Sequence, residues 1–297
     1  MRFYAGLFLL YHVMLGFAQQ PDFEKILKST DLSYLIHNYV ASHNPMPHGW
    51  EEFTPAQSPL GRFTFPEVMA MHSGEIYSFH SKGQLLQHTT TSQEWLPWQY
   101  RTGNDKIQVR RAVGKDIFMC EITSVDDKNM VILEMNSFTD HYYRNKEGID
   151  LRYDNQNKRF IFNWKEYSLL VTFSGCTDVS MCQEPQPLLR KFQGFDDVVM
   201  VDKSVLGCWK RNGITYLGAS FGDKLTITME VTKTPDKPRL PEFNRLVAAQ
   251  RLYWTNFLSQ EVPPLKTKDS TVIKTYYHAW VSLFSNRMDR QDGLTRY

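Results

Sequence analysis

The sequence lacks the motifs that would assign a chemistry. No GxSxG, GxGxxG, Walker or HExxH pattern occurs in its 297 residues, so no nucleophile elbow, phosphate cradle or zinc helix is on offer. It lacks an excess of either charge. Lys and Arg number 34 against 32 Asp and Glu, a net +2 that gives no electrostatic ground for a nucleic-acid partner. It has no collagen, heptad or solenoid repeat. After residue 18 it has no apolar run of the roughly 18 residues a spanning helix needs, so no membrane span is expected. It has no Asn-x-Ser/Thr acceptor for N-glycosylation. Cysteine is scarce, with four in the chain. What it has in quantity is apolar and aromatic side chains, 42% and 14%, enough to exclude a disordered polymer and to build a large core.

Residues 1–18 read as an address. Arg2 gives a positive start, Phe3 to Phe17 is mostly apolar, and Gly16 and Ala18 are the small residues before a cut at Gln19. This is the pattern of a cleaved secretory signal, and polar QQPDFEK follows at once. It predicts a secreted, extracellular or periplasmic protein. In that compartment four cysteines allow two disulfides. Three pairings are open: Cys176 and Cys182 flank the short segment TDVSM, which makes a local bridge sterically easy and would leave Cys120 with Cys208, and buried free thiols are the alternative to any bridge. The spacing does not suit a zinc site, and no metal or other cofactor is expected.

Along the mature chain, strands come first and helices last. Residues 22–42 begin with helical spacing at Phe23, Ile26 and Leu27, and 43–67 carry five prolines that forbid a long helix. From about 74 the alternation is that of strands. EIYSFHS–KG–QLLQHTTT reads as a hairpin, and IFMCEIT (117–123) and MVILEM (130–135) as a second. RFIFNW (159–164), SLLVTFS (168–174), DVVMV (197–201), GITYLGASF (213–221) and KLTITMEV (224–231) continue the series, with Gly222–Asp223 read as a tight turn. These predict a mainly β fold, an antiparallel sandwich over 19–231. TKTPDKPRLPEF (232–243) reads as a linker. Residues 244–297 form a helical segment, with one helix over 244–260 and a second N-capped by Asp269. Their aromatic stripes include Trp254, Tyr277 and Trp280, expected to pack on the sheet or on a helical domain that this chain lacks.

The junction carries a resemblance. Trp254-x-x-Phe257-Leu258-x(4)-Pro263-Pro264 followed by Ile273-Lys274-x-Tyr276-Tyr277-x-Ala279-Trp280, after a strand-rich region and a proline-rich linker, resembles glycoside hydrolases with an N-terminal supersandwich and an (α/α)6 barrel, nearest the trehalase and processing α-glucosidase group. The resemblance implies inverting hydrolysis of α-glycosidic bonds by a carboxylic acid and a carboxylate base. It transfers no catalytic residue, because the chain reaches only the first barrel helices. On that reading the chain is the inactive N-terminal portion of such an enzyme. A self-contained sandwich that binds carbohydrate or protein, and an enzyme with its site inside the sandwich, are the alternatives.

Local candidates are few. Trp95, Trp98 and Tyr100 in EWLPWQY, rimmed by Gln93, Glu94, Gln99 and Arg101, offer flat apolar faces for a sugar ring, as does Trp50; the plainer role is core packing. His72, His80 and His88 recur at intervals of eight, but no further ligand pattern makes them a metal site. Glu51–Glu52, Asp126–Asp127 and Asp196–Asp197 are adjacent pairs, suited to turns and surfaces rather than to sharing one substrate bond.

Overall fold

Alternating apolar positions draw most of the chain into one curled antiparallel sheet. The computed structural model describes residues 21–30, 50–52, 62–64, 73–85, 92–114, 117–137, 150–164, 167–195, 213–285, 288–289 and 295–296. In chain order these form α1 (Phe23–Leu27), β1 (Trp50–Glu52), β2 (Arg62–Thr64), β3 (Ser73–Ser81), β4 (Gln84–Leu85), β5 (Ser92–Leu96), β6 (Gln99–Gly103), β7 (Ile107–Gly114), β8 (Ile117–Ser124) and β9 (Asn129–Ser137). Then come β10 (Asp150–Asp154), β11 (Arg159–Trp164), β12 (Tyr167–Cys182), α2 (Pro185–Gln193), β13 (Gly213–Thr232), α3 (Phe243–Gln260) and α4 (Ser270–Ser285). Two short strands, β14 (Met288–Asp289) and β15 (Thr295–Arg296), pair with each other.

The organising element is β13. One edge pairs with β12 along its length, Ser168 opposite Thr232 and Cys182 opposite Tyr216. The other edge is shared end to end by two strands: β8 lies against Lys224–Glu230 and β9 against Gly213–Phe221. The sheet therefore divides into two wings that share β12 and β13. The first wing runs outward through β9, β3, β2 and β1, the second through β8, β7, β6 and β5. The wings enclose a common core. Phe79, Val131 and Leu133 of the first and Val109 and Ile122 of the second join Leu217, Ile227 and Phe173 of the shared strands and Phe160 of β11, which pairs with β12, all essentially inaccessible. At the seam β12 carries register shifts between Ser174 and Asp178, and Gly175 sits at φ +86°. A Cβ there would lie 2.8 Å from the Lys224 carbonyl oxygen, so only glycine lets the two long strands approach at the bend.

Two expected hairpins are corrected. β8 and β9 do not pair; they are collinear neighbours of the same long strand. Gly222–Asp223 is no turn, because β13 runs through it for 20 residues. The physical reason is phase. A two-residue turn would set Phe221 opposite Lys224 on one face, forcing an ammonium into the core beside a buried ring. A straight strand keeps Leu217, Ala219, Phe221, Leu225, Ile227 and Met229 all inward. The β3–β4 hairpin stands as expected, with Lys82 and Gly83 both at positive φ in its turn.

The cysteine expectation is also corrected. Cys176 and Cys182 lie on one strand, β12, and are not bridged. Six residues of strand span about 20 Å, far beyond the roughly 6 Å between Cα atoms that a disulfide tolerates. Cys120 is a buried thiol facing the core. Cys208 lies outside the described residues, as do the signal-like segment, His72, His88, residues 197–201 and Asp196–Asp197.

Helices cover the outer faces. α2 packs Leu188 and Phe192 on Met130, Ile132 and Cys182 of the first wing. Pro185 opens it and Gly194, in the left-handed region, closes it, its N–H donating to the Lys191 carbonyl. α3 lays Phe243 and Leu246 on Ala112, Ile117 and Met119 of the second wing. Asp269 caps α4 as expected, its Oδ1 accepting from the N–H groups of Thr271 and Val272 at 2.9 and 3.1 Å. The proline-rich segment before α3 is tied back to the sheet, since buried Glu230 accepts from the Arg239 N–H (2.7 Å) and Nε (2.8 Å). No described helix is long and apolar enough to cross a membrane.

Candidate functional site

Two places draw chemistry-bearing side chains together: an aromatic joint between the second wing and the C-terminal helices, and a polar cavity beneath α2.

The joint absorbs the aromatic candidates. Trp95, Trp98 and Tyr100 are 1%, 3% and 2% exposed, packed with Phe23 and Leu27 of α1 and with Trp254, Phe257, Tyr277 and Phe284 of α3 and α4. Rings so enclosed present no face on which a sugar could stack, so here they carry packing. The contacts are specific. Phe257 stacks on Phe284 at 3.9 Å, Trp254 meets both edge-on near 6 Å, and Phe23 meets Tyr277 edge-on at 5.2 Å. Ser29 and Trp95 exchange two backbone hydrogen bonds, which pins α1 to β5. Trp50 lies in β1, and neither its side chain nor that of Gln93 is among those described. Glu94 pairs with Lys28 at 2.5 Å, and Arg101 Nη2 donates to Gln99 Oε1 at 3.1 Å, so these rim groups serve the protein's own contacts.

Of the two partners expected for the helix stripes, the sheet is the one seen for Trp254 and Tyr277, which α1 and the β5–β6 hairpin enclose; Trp280 is only partly buried. What stays in solvent is a different set, Leu252, Val272 and Leu283, each about half exposed or more. His278, one residue past Tyr277, falls by helical spacing on the polar face with Lys274, yet it is buried. It stacks on Trp95 with ring centroids 5.4 Å apart. Burial, seconded by the Lys274 ammonium, pushes it down to about 4, so it is neutral at pH 7.

Tyr100, Arg111 and Cys120 continue the row begun by Trp95, each directly opposite the last across β5 to β8. The Arg111 guanidinium lies 4.4 Å from the Tyr100 ring centroid, wholly buried where the joint meets the sandwich core. Nothing in the sequence marks it among the many Arg residues; only the register shows it.

Of the remaining candidates, His80 and Asp126 make contacts within the protein. His80 is buried, within 3.0 Å of Ser78 Oγ, and burial lowers its affinity for a proton. Among the described residues no group of three His, Cys, Asp or Glu is arranged for a metal. Asp126 latches the β3–β4 hairpin to the β8–β9 link, accepting from Ser81 Oγ and Lys82 Nζ, both at 2.6 Å. The Lys82 hydrogen bond holds its carboxyl below the usual carboxylate range. Glu51 and Glu52 are consecutive residues of β1.

The cavity was not foreseen. It measures about 380 Å³ and lies between α2, the outer face of the seam and the link before β9. It opens over Ser220 and Gly222 of β13, which lack bulk, while at Gly218 the missing side chain lets Leu188 of α2 pack down on the strand. On β12, Asp178 and Ser180 line it; on α2, Lys191 and Phe192; on the link, Asp127 and Lys128. Lys191 Nζ donates to Asp178 Oδ2 (2.8 Å) and Ser180 Oγ (2.7 Å), and Ser180 Oγ donates to Asp178 at 3.1 Å. Asn129 braces the rim, its Nδ2 donating to the carbonyls of Asp126 (2.7 Å) and Gly222 (2.5 Å). Lys191 Nζ is the donor to both Ser180 Oγ and Asp178 Oδ2, so in this arrangement it serves the serine as a cation and not as a base. The sequence signal that could have found the cavity is the small-residue alternation G-A-S-F-G within an otherwise bulky strand.

With that architecture in view, solved structures can be compared. A GH92 α-mannosidase from Bacteroides thetaiotaomicron, in complex with mannoimidazole, superposes with a TM-score of 0.51 at 13% identity, over 88% of this chain and 41% of its own. The GH92 family glycosyl hydrolase ccman5 gives 0.54 at 10% identity, over 93% and 44%. A bacterial glucoamylase complexed with acarbose matches at 0.40 and 9% identity, over 88% and 39%. No family model and no curated protein matches the sequence. The chain spans about two fifths of the length of these structures, and its fold resembles the N-terminal β-sandwich region of such hydrolases. The superpositions above 0.5 are with GH92 hydrolases, whereas the junction motif resembles trehalases and processing α-glucosidases most.

Proposed function

We propose that this chain is the N-terminal sandwich portion of a secreted glycoside hydrolase acting on α-glycosidic bonds, with the reacting carboxylates carried by a helical domain outside it. The observation that carries this reading is the superposition on GH92 hydrolases over 88% and 93% of this chain. Supporting it, α3 and α4 leave Leu252, Val272 and Leu283 in solvent, a face suited to a further helix layer. On this reading the sandwich seats and orients the barrel, residues 1–18 direct export, and hydrolysis inverts the anomeric centre, an acid protonating the leaving oxygen and a base activating water.

Two measurements test it. The purified chain is expected to leave 4-nitrophenyl α-mannoside and α-glucoside intact; turnover by the chain alone would place the chemistry in the sandwich. The natural transcript is expected to continue past Tyr297 into helical hairpins with acidic loops, and unrelated sequence there would remove the hydrolase reading. The enclosure of Trp254 and Tyr277 by the chain's own α1 and β5–β6 favours a second reading, a self-standing binding sandwich. That reading expects the chain to be monomeric and soluble with Leu252 and Val272 exposed.

A further inference from the structure

Residues 22–29 are held by elements far from them in the sequence. Phe23 and Leu27 of α1 are buried in the cluster that holds Trp95 and Trp254, with Phe23 edge-on to Tyr277 of α4. Past α1 the backbone turns extended at Lys28. Ser29 then bridges Trp95, its N–H donating to the Trp95 carbonyl at 3.1 Å and its carbonyl accepting from the Trp95 N–H at 2.8 Å. β5 ends the sheet on that side, with β6 on its other flank, so this bridge is strand addition at an open edge. Two ion pairs set the direction in which the segment lies. Glu24 meets Arg251 of α3 at 2.8 Å, and Lys28 meets Glu94 of β5 at 2.5 Å. Lys274 Nζ of α4 donates to the Lys28 carbonyl at 3.2 Å, across 246 positions of sequence.

We infer that residues 22–29 are an exchangeable strap, a tethered peptide ligand seated in a groove between the β5 edge and α4, and that this groove accepts the same segment supplied in trans. α1 has five residues, too few for a helix to persist in water, so the groove gives the segment its shape. The seating joins two ways in which proteins take peptides: apolar anchors on one face of a helix, and main-chain bonds at a strand edge. The anchors are Phe23 and Leu27, four apart and so on one face, while Ile26 beside them is partly buried. The ligand class follows from these contacts. It is a peptide with Phe and Leu four apart, an acid directly after the Phe, a base directly after the Leu and a free N–H one residue further on. With the strap lifted, the groove would offer Trp95, Tyr277 and an unpaired strand edge.

The test uses the full chain and a fluorescent peptide of residues 20–30, read by anisotropy. A tethered ligand meets its site at a roughly millimolar effective concentration, so micromolar peptide should leave the wild-type chain empty-handed. Leu27→Glu places a carboxylate at a wholly buried position and unseats the chain's own strap, and it should raise peptide capture at least about tenfold. Ser29→Pro is the second variant. It removes the N–H that donates to the Trp95 carbonyl, and Lys28 at φ −54° and ψ 121° already suits a residue before proline. It should raise capture by less. Far-UV circular dichroism verifies the sheet in each variant, and a peptide that itself carries Leu27→Glu should not bind. No capture by the folded variants, equal capture by wild type and variants, or binding of the altered peptide would each overturn the inference. Loss of the fold in both variants would overturn it too, because the segment would then be part of the structure and not an exchangeable ligand.

Discussion

The sandwich core and the aromatic joint are both buried, yet they are built differently. The core is filled by aliphatic and phenyl groups from both wings, such as Val131, Leu133, Phe160, Val171 and Ile227, with no polar side-chain atom among those five. The joint is as dry but is made of amphipathic rings. Nε1 of Trp95 and Nε1 of Trp254 are buried without a hydrogen-bond partner among the described residues, as are Gln99 Nε2 and Gln250 Oε1. Each such group offsets part of what its hydrophobic burial contributes. The lesson is that equal burial does not mean equal stability: the joint should open before the sandwich does.

That contrast can be broken at several points. The largest effect is expected from Phe160→Ala, which empties the space between Tyr153 and Phe173 in the core and should lower global stability by about 3–5 kcal/mol in denaturant titrations. Trp254→Ala should cost about 3 kcal/mol but locally. Amide exchange in α3 and α4 should accelerate while β13 stays protected, and equal acceleration in both would show the joint to be part of one cooperative unit.

Acid should act on the joint through His278. Its folded value of about 4 lies below the unfolded 6.5, so the neutral imidazole is the form the fold prefers. Its contribution is complete above pH 6.5 and is lost as the pH falls from there toward 4, at a cost of up to about 3 kcal/mol. His80 shifts in the same direction. A His278→Phe variant should flatten the joint's acid transition as read by tryptophan fluorescence, and an unchanged profile would assign that transition elsewhere. Trp254→Phe should cost less than about 1.5 kcal/mol, because no indole hydrogen bond to a described residue is broken; a larger loss would point to an indole partner. The smallest change belongs to Lys28→Ala. Its ion pair with Glu94 is half exposed, and about 0.5 kcal/mol or less should be lost, vanishing in high salt.

Much of this architecture is readable from residue order. The alternation in KLTITMEV and RFIFNW marks real strands, Lys82–Gly83 a real hairpin, and Asp269 a real cap. What fails is pairing. Gly-Asp after a strand looks like a turn until Phe221 and Lys224 are asked to share a face, and IFMCEIT and MVILEM look like partners until β13, more than 75 residues downstream, claims both. α2 escaped notice because nine residues, two of them prolines in the first turn, give too short a period. The cavity escaped because it is defined by what Ser220 and Gly222 lack. The aromatic patch was seen as a group, but sequence cannot tell a ring facing water from one facing a helix that returns 150 residues later.

The shared strand sets a timetable for synthesis. β8 and β9 leave the ribosome about a hundred residues ahead of the strand that completes them, and β12 about fifty. Until Thr232 has emerged, three open edges rich in Val, Ile and Phe must wait unmatched, which makes the nascent chain a client for a holding chaperone and any truncation before that residue prone to aggregate.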